Sequence, residues 1–310
     1  MKKMKIIIFG SKGMVGRSLV RILNKSNSVG ELIPSSRDDT NLFSLDETTI
    51  KIKKEKPDIV INAAAKVGGI HANNTKRTEF IFQNLKINMN ILEACIDFPE
   101  TKIINLGSSC IYPLNAENPI KEDSLMTGEL EPTNSPYAIA KIAAIEMGRA
   151  LNKQYSHQVV NLMPTNLYGP HDNFSEMDSH VIPGLMMRMH KAKVANNDTF
   201  KIWGSGTPLR EFLYVDDLAE AVSFLLDKSC ENDLYNVGFG EEISIKDLAF
   251  KIKNVIDFKG DLDFDSSMPD GNPRKLIDTT RLNKMGWSPI TNLDTGLEQT
   301  YKWYLENNIN

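Results

Sequence analysis

The feature that most constrains this chain is a regular alternation of short apolar runs and amphipathic stretches along its first half. The runs are rich in β-branched residues and are typical of strands, while the stretches between them have the periodicity of helices. This alternation favours βαβ units and a parallel sheet that helices cover on both faces. We predict strands at residues 5–9, 31–34, 58–62, 102–106 and 158–162, and helices at 15–25, 45–55, 80–95 and 137–152.

The pattern changes near Gly169, where a polar, Pro-bounded stretch begins and later helical patterns at 182–193, 215–226 and 245–256 are interrupted by short strands. We therefore predict an α/β fold with a doubly wound parallel sheet of the Rossmann type. The Rossmann domain would span 1–169, with a later strand near 234–238 that returns to it. Residues 170–310 would mainly form a smaller substrate-binding lobe.

Composition and charge exclude several classes of protein. The 310 residues carry 36 Lys and Arg against 40 Asp and Glu, a formal net charge of −4 without a long like-charge block, so neither nucleic acid nor an anionic membrane surface is expected as a partner. No run approaches about 18 consecutive apolar residues, as a membrane-spanning helix requires. Cys95, Cys110 and Cys230 form no CxxC pair and no metal-ligand spacing, so we expect free thiols in the cytoplasm, no metal, and small-molecule ligands.

Gly10, Gly13 and Gly16 follow the first predicted strand and open the first helix, in the spacing GxxGxxG. Glycines at such a turn let backbone N–H groups approach a pyrophosphate and let the helix pack close to the sheet. A glycine-rich turn without a ligand is the alternative interpretation. The strand before it and the helix after it favour a dinucleotide site.

The end of the second predicted strand indicates which dinucleotide binds. NAD-binding units commonly place an acid there for the ribose hydroxyls. This chain instead has a proline and two serines, followed by Arg37, whose guanidinium is suited to a 2′-phosphate. We therefore predict NADP. In the alternative, Arg37 is a solvated loop charge and Asp38 or Asp39 is the ribose acid.

Tyr137 and Lys141 lie four residues apart, on one face of a predicted helix whose first turn contains Pro136. A cation about 4 Å from a phenol, at an effective dielectric of about 20, is worth about 4 kcal/mol, or close to three pKa units. We therefore predict that Lys141 lowers the pKa of Tyr137, a general acid at a carbonyl that receives hydride. The spacing also occurs by chance, but Ser108 and Ser109, at the carboxyl end of the fourth strand, favour a site.

Cys110 and His180 are candidates for a second acid/base pair. Cys110 follows Ser108 by two residues, so a continued strand would direct both side chains to the same face. Inversion of a carbon next to a ketone requires proton removal on one face and delivery on the other, and a thiol and an imidazole are both suited to that task. From the residues alone, a buried apolar cysteine and a helix-capping histidine remain open alternatives.

The chain resembles the GDP-L-fucose synthases, the GDP-4-keto-6-deoxymannose 3,5-epimerase/4-reductases of the extended short-chain dehydrogenase/reductase superfamily. The resemblance runs from the first strand to the last helix. Its motifs are GSKGMVG, INAAAKVGGIHANN, LGSSCIYP, EPTNSPYAIAK, MPTNLYGPHDNF, SHVIP, WGSGTPLREFLYVDD and DGNPRKLID. GSSCIYP and WGSGTPxREF are specific to this family and its near relatives, whereas YxxxK marks only the superfamily.

The resemblance implies an NADPH-dependent enzyme that inverts C3 and C5 of GDP-4-keto-6-deoxy-D-mannose and then reduces C4. It assigns Ser108, Tyr137 and Lys141 to the reductase triad, and Cys110 and His180 to the epimerisation base and acid. The positions that it implies for NADP are Gly10, Ser11, Lys12, Gly13, Met14, Val15, Gly16, Arg37, Ala63, Ala64, Ala65, Leu106, Gly107, Ser108, Ser109, Lys141, Pro164, Thr165, Asn166, Leu167 and His180. Those that it implies for the nucleotide sugar are Arg188, Trp203, Arg210 and Asp270, with Lys275 nearby.

The chemistry of three sugar-site candidates agrees with this assignment. Arg188 and Arg210 have guanidinium groups that can bind a diphosphate with paired hydrogen bonds, and Trp203 has a flat face for stacking. Surface charges on a helix and a buried core aromatic are the alternatives. His71 departs from the family pattern, which has an apolar residue there, and would alter sugar preference if it lined the site.

Three further alternatives stay open. The chain could reduce C4 of a GDP-4-keto-3,6-dideoxyhexose or a GDP-keto-heptose, with one epimerisation or none. A plain 4-epimerase or 4,6-dehydratase is less favoured, because Cys110 stands where a hydroxyl is expected. A regulatory NADP-binding protein could share the fold, since fold alone does not fix function. The resemblance also implies a homodimer that pairs the helices at 80–95 and 137–152.

Overall fold

The computed structural model describes residues 3–176, 178–267, 270 and 272–308. Its helices are α1 (Met14–Leu23), α2 (Leu45–Glu55), α3 (Ile70–Thr75), α4 (Arg77–Ala94), α5 (Ser135–Tyr155), α6 (Val181–Val194), α7 (Val215–Leu225), α8 (Ile245–Ile256), α9 (Thr280–Lys284) and α10 (Leu293–Asn308). Its strands are β1 (Met4–Phe9), β2 (Val29–Ser35), β3 (Ile59–Asn62), β4 (Lys102–Leu106), β5 (Gln158–Pro164), β6 (Asn166–Tyr168), β7 (Thr199–Trp203), β8 (Leu209–Arg210), β9 (Phe212–Tyr214), β10 (Leu234–Val237), β11 (Ile243–Ser244), β12 (Asp261–Asp265) and β13 (Arg274–Lys275).

The main sheet of the described residues contains six parallel strands in the order β10-β5-β4-β3-β1-β2. Residues 6–9 of β1 and all of β3 and β4 are buried, because helices cover both faces of the sheet. The chain winds in one direction from β1 to β2 and in the other from β3 onward. The predicted doubly wound α/β fold is therefore confirmed, and its switch point lies between β1 and β3.

Three buried asparagines cross this sheet as a continuous amide ladder, Asn62 on β3, Asn105 on β4 and Asn161 on β5. The Asn62 Nδ2 atom donates to Asn105 Oδ1 at 3.0 Å, and Asn105 Nδ2 donates to Asn161 Oδ1 at 3.0 Å. The ladder ends where Asn161 Nδ2 donates to the Asp233 carbonyl at 3.1 Å. Each amide is thus hydrogen-bonded inside the buried sheet.

The later elements divide between this sheet and a second layer of structure. Helix α7 packs on α1, and β10 pairs with β5, so both lie with the main sheet. The pairs β7–β12 and β6–β9 and the sheet β11-β8-β13 lie outside it, and α6, α8 and α10 share a separate apolar core with them. The chain therefore passes between the two parts more than once. No helix in the described ranges is long and apolar enough to cross a membrane.

Candidate active site

The glycine loop joins β1 to α1, and two of its glycines are required by close packing. Gly10 has φ +82°, and a Cβ there would lie 2.6 Å from the Ala64 nitrogen. A Cβ on Gly16 would lie 2.1 Å from the Gly10 carbonyl oxygen, so only glycine lets α1 approach the sheet this closely. Gly13 is the N-cap of α1, which has no side-chain cap and no acid in its first turn. The free N–H groups at this terminus suit a phosphate anion.

The contacts of the polar groups after β2 distinguish an NADP site with Arg37 from an NAD site with Asp38 or Asp39. The Asp39 carboxylate accepts hydrogen bonds from the Ser36 backbone nitrogen at 2.8 Å and the Ser36 hydroxyl at 2.7 Å. Asp38 pairs with Lys12 of the glycine loop. Arg37 is exposed, and its guanidinium has no hydrogen-bond or ion-pair partner within the described residues. Both acids are thus engaged, whereas the guanidinium is available to an anion.

The other expected cofactor positions follow the ends of three neighbouring strands. Ala63, Ala64 and Ala65 follow β3, Leu106 to Ser109 lie at the end of β4, and Pro164 to Leu167 lie at the end of β5. All three segments therefore lie at the carboxyl edge of the sheet, where ligands of open α/β sheets bind. Asn84 of α4, which the sequence analysis missed, fixes the first loop: it accepts from the Lys66 nitrogen at 2.9 Å and donates to the Lys66 carbonyl at 3.0 Å.

The serine segment departs from the predicted backbone. The condition that strand geometry continues through Cys110 is not met: β4 ends at Leu106 as predicted, and the chain then turns into a 3₁₀ helix over Ser109–Ile111. Ser108 is the N-cap of this turn, and its Oγ accepts from the Cys110 nitrogen at 3.3 Å. Ser108 and Cys110 are therefore held together by a capping turn and not by the alternation of a strand.

Tyr137 and Lys141 lie on α5, one turn apart, with Pro136 in the first turn as predicted. The Lys141 Nζ atom donates to the Leu106 carbonyl at 2.7 Å and lies 5.8 Å from the centroid of the Tyr137 ring. Burial lowers the pKa of Lys141 to about 8. Burial, with a smaller effect of Cys110, raises the pKa of Tyr137. The prediction that Lys141 lowers the tyrosine pKa is therefore wrong for this structure, because desolvation of the phenol dominates.

Cys110 is buried at 8% exposure. Burial raises the pKa of its thiol, and Lys275, the Ser108 hydroxyl and Lys141 oppose that rise. Burial in turn lowers the pKa of Lys275, which Cys110 partly offsets. The buried thiol thus interacts electrostatically with two ammonium groups, the buried Lys141 and the partly exposed Lys275, and with the partly exposed Tyr137.

His180 immediately precedes α6, and its side chain is 47% exposed. His180 occupies the N-cap position of α6, as the helix-cap alternative expects, but its ring makes no capping hydrogen bond and therefore stays available. The ring nitrogen Nδ1 lies 4.0 Å from Oδ1 of Asp172. The sequence analysis did not single out Asp172.

Two of the expected nucleotide-sugar residues, Arg188 and Trp203, line an open cavity beside α6 and β7, whereas Arg210, Asp270 and Lys275 are not among its lining residues. The Arg188 guanidinium lies between two aromatic rings, 5.6 Å from the Phe200 centroid and 5.2 Å from the Trp203 centroid. Burial lowers the pKa of Arg188. Trp203 is 60% exposed, so the core-aromatic alternative is wrong. The cavity of about 540 Å³ has a cationic and aromatic lining that suits a flat, anionic ligand.

Arg210 and Lys275 are register partners on β8 and β13. Burial lowers the pKa of Arg210, and Asp270 opposes this. The Asp270 carboxylate accepts from the Ser205 nitrogen at 2.9 Å and from its hydroxyl at 2.6 Å, which fixes the loop after Trp203. Asp270 is therefore held on the loop that follows Trp203, while Gly271 of the same motif lies outside the described residues.

His71 lies exposed on α3, and its effect on sugar preference stays a prediction. Sequence analysis also missed Glu211, a fully buried residue next to Arg210. Its carboxylate accepts from the Gly240 nitrogen at 2.8 Å and from the Ile277 nitrogen at 3.1 Å. Burial raises the pKa of Glu211. The available sequence signal was that Glu211 directly precedes the apolar residues Phe212 and Leu213.

The chain belongs to the NAD dependent epimerase/dehydratase family, whose model matches residues 6–238. It is 49% identical to the putative GDP-L-fucose synthase 2 of Arabidopsis thaliana, covering 99% of this chain and 93% of that protein. It is 46% identical to the GDP-L-fucose synthase of Escherichia coli (strain K12), covering 99% and 98%. The resemblance indicated by the motifs is confirmed.

Solved structures agree with this placement. An NADP-bound GDP-L-fucose synthetase from Naegleria fowleri superposes with a TM-score of 0.90 at 31% identity, covering 99% of this chain and 95% of that chain. A GDP-6-OMe-4-keto-L-xylo-heptose reductase from C. jejuni superposes with a TM-score of 0.91 at 31% identity, covering 99% of each chain. The architecture is therefore shared by enzymes named for different GDP sugars.

Proposed function

We propose that this chain converts GDP-4-keto-6-deoxy-D-mannose to GDP-L-fucose by 3,5-epimerisation and NADPH-dependent reduction at C4. The observation that carries the proposal is that the buried Cys110, on the turn after β4, interacts electrostatically with Lys275, Lys141 and Tyr137, while Lys141 Nζ lies 5.8 Å from the centroid of the Tyr137 ring. A pure dehydrogenase needs no buried thiol beside its tyrosine. The full-length identity of 46–49% to proteins named GDP-L-fucose synthase supports the same conclusion.

NADPH supplies the hydride when bound. The N-terminus of α1 is suited to its pyrophosphate, and the available Arg37 guanidinium is suited to the 2′-phosphate. The remaining cofactor contacts would come from the loops at the ends of β3, β4 and β5. Arg188 and Arg210 would bind the diphosphate of the sugar nucleotide, with Trp203 as a stacking surface and Asp270 as support.

Epimerisation at C3 and C5 uses the acidity of carbons next to the C4 ketone. The Cys110 thiolate removes a proton, so that a C–H bond breaks and an S–H bond forms while the electron pair moves toward the ketone oxygen. His180 delivers a proton to the opposite face, so that an N–H bond breaks and a C–H bond forms. Lys275 and Lys141 stabilise the thiolate.

Reduction at C4 requires a proton donor at the ketone oxygen. Burial keeps the Tyr137 phenol protonated, so it donates its proton to that oxygen as hydride reaches the carbon. The Lys141 ammonium stabilises the phenolate that remains. The Ser108 hydroxyl is close to the same pocket and would hydrogen-bond the ketone oxygen.

Two variants test the division of labour. In Cys110→Ser we expect solvent deuterium incorporation at C3 and C5 to fall by at least about 100-fold, while NADP⁺ reduction by GDP-L-fucose, the reverse reaction, persists. In Tyr137→Phe we expect NADP⁺ reduction by GDP-L-fucose to fall, while deuterium incorporation at C3 and C5 persists. Cys230→Ser, a change at a thiol remote from the pocket, serves as the control. Folded protein that neither exchanges these protons nor oxidises NADPH with the keto sugar would contradict the proposal.

A C4 reductase of another GDP-4-keto sugar is the second candidate, because a heptose reductase has the same architecture. NMR analysis of products from the 6-deoxyhexose, the 3,6-dideoxyhexose and the heptose would separate these functions. Turnover of the heptose alone, without exchange at C3 and C5, would favour the second. NADPH binding without turnover of any keto sugar would favour a regulatory protein.

We also propose that the enzyme is a cytoplasmic homodimer. Its thiols Cys95, Cys110 and Cys230 are all free, which suits a reducing compartment. Helices α4 and α5 pack on each other, and their outer surfaces expose Phe82, Met89 and Ile139. These side chains would be covered if the two helices met their copies in a second subunit.

A further inference from the structure

A buried carboxylate lies behind the exposed imidazole of His180. The Asp172 side chain is only 5% exposed, although its charge favours water. Its Oδ1 atom accepts from the Asn173 nitrogen at 2.7 Å. Its Oδ2 atom is buried and has no hydrogen-bond partner within the described residues. Such an atom is costly unless a donor reaches it, so a nearby donor is expected.

His180 is a candidate donor to this carboxylate, because its Nδ1 atom lies near Oδ1, the oxygen bonded to the same carbon as the unpartnered Oδ2. The 4.0 Å between Nδ1 and Oδ1 is longer than a hydrogen bond, but a small rotation of the exposed ring would close it. Asp178, the acid two residues before His180, pairs with Lys76, whose Nζ atom lies 3.2 Å from its Oδ2 atom. Asp178 is therefore already engaged, whereas the Asp172 carboxylate has spare acceptor capacity.

The loop that carries Asp172 is anchored on both sides. The His171 ring lies 4.6 Å from the Trp303 ring, and the Phe174 ring lies 5.9 Å from Trp303 and 4.9 Å from Tyr304. Both aromatic partners belong to α10, at the other end of the chain. The backbone nitrogen of Asp172 also donates to the Gly169 carbonyl at 3.3 Å. These contacts fix the loop that carries the carboxylate, whereas the His180 side chain is 47% exposed.

The geometry points to Asp172 as a positioning residue that binds the Nδ1–H group of His180 and leaves Nε2 to face the sugar. This inference rests on the proposed function, in which His180 delivers a proton to carbon. As an imidazolium, His180 would give its Nε2 proton to the sugar and keep its Nδ1 proton on Asp172. The neutral ring would then be the Nδ1–H tautomer, whereas a free imidazole in water prefers Nε2–H.

Histidine NMR tests the inference without substrate. The chain contains five histidines, so ¹⁵N-histidine labelling gives few signals, and a His180→Asn variant assigns the one of interest. We expect neutral His180 to be mainly the Nδ1–H tautomer in the unmodified protein and mainly Nε2–H in Asp172→Ala. Asp178→Asn is the matched control, because it removes a carboxylate two residues from His180 and should leave the tautomer unchanged.

Activity measurements complete the test. Asp172→Asn keeps the side-chain volume and an acceptor for Asn173, so it should fold, and we expect deuterium incorporation at C3 and C5 to fall by at least about tenfold. The reverse hydride transfer should change less than twofold. An Nε2–H tautomer in the unmodified protein, or a tautomer that is the same in Asp172→Ala, would overturn the inference. If the His180 tautomer depends on Asp172 but the protein turns over no keto sugar, the proposed function is contradicted. The hydrogen bond between Asp172 and His180 is then still supported.

Discussion

Burial acts in opposite directions on the titratable groups at the end of β4. It raises the pKa values of Tyr137 and Cys110, whose charged forms are anions, and lowers the pKa of Lys141 to about 8. Burial therefore keeps a proton on the phenol that we propose as the proton donor and disfavours the thiolate that we propose as the base. The two half-reactions should respond differently to pH.

We expect proton exchange at C3 and C5 to rise with pH and hydride transfer to fall above pH about 8. Below the raised thiol pKa, the thiolate fraction grows about tenfold per pH unit, whereas Lys141 loses its charge as pH passes its lowered pKa. Deuterium incorporation and NADPH oxidation should be recorded from pH 6.5 to 9. Parallel profiles for the two activities would contradict this assignment of groups.

Substitution of Lys275 tests the proposed cause of the pH dependence of proton exchange, because Lys275 opposes the rise that burial causes in the pKa of Cys110. In Lys275→Met the thiol pKa should rise further, and exchange at a fixed pH and saturating substrate should fall by about tenfold or more. Lys275→Arg keeps the positive charge and should retain most of the exchange rate. Equal losses in both variants would mean that Lys275 acts through shape and not through charge.

Single polar residues mark the limit of what this sequence predicts. The glycine loop and the Tyr137–Lys141 pair could be predicted, because their residues are close together in the sequence and regularly spaced. Asp172, Glu211 and Asn105 show no such spacing, because their partners lie on other elements. The expected direction of the Tyr137 pKa was wrong for a related reason: desolvation depends on the whole pocket and not on one neighbour.

At the scale of elements, the predictions succeeded where one physical signal dominates. Helices α2 and α8 and strand β4 begin and end as predicted, since caps or apolar runs set their limits. Strand β10 was predicted from a short apolar segment and pairs with β5. The 3₁₀ turn after β4 was not foreseen, because a serine hydroxyl that caps a short turn gives no periodic pattern.

The close packing of α1 on the sheet predicts that alanine is destabilising at Gly16 but tolerated at Gly13. Gly16→Ala would force a methyl group against the Gly10 carbonyl, so we expect a loss of at least about 2 kcal/mol in the free energy of unfolding. Gly13→Ala is the control: its Cβ would lie 3.5 Å from the same oxygen, in ordinary contact. Urea unfolding measures both, and equal stability of the two variants would contradict the packing argument.

At the scale of the whole molecule, the last helix takes part in the candidate site. Trp303 and Tyr304 of α10 hold the loop that carries Asp172, so the carboxyl-terminal helix supports residues more than 100 positions earlier. No local sequence pattern links these segments.

The exposed apolar surface of α4 and α5 makes a prediction about assembly. In Ile139→Glu, a charge would enter the proposed contact, so we expect light scattering to report one chain of 34.8 kDa for this variant and a dimer for the unmodified protein. Phe250→Glu on α8 is the matched control, because Phe250 is exposed to a similar degree elsewhere. An unmodified protein that scatters as a monomer would contradict the dimer.

The amide ladder across β3, β4 and β5 has a consequence for how the domain assembles. Its three asparagines are separated by 43 and 56 positions along the chain, yet each must meet its neighbour at one alignment of the strands. A strand that docks one residue out of step would turn its asparagine toward the opposite face and leave two amides without partners in a dry environment. The ladder thus disfavours misaligned strands and selects one register, which apolar side chains alone would select less strictly.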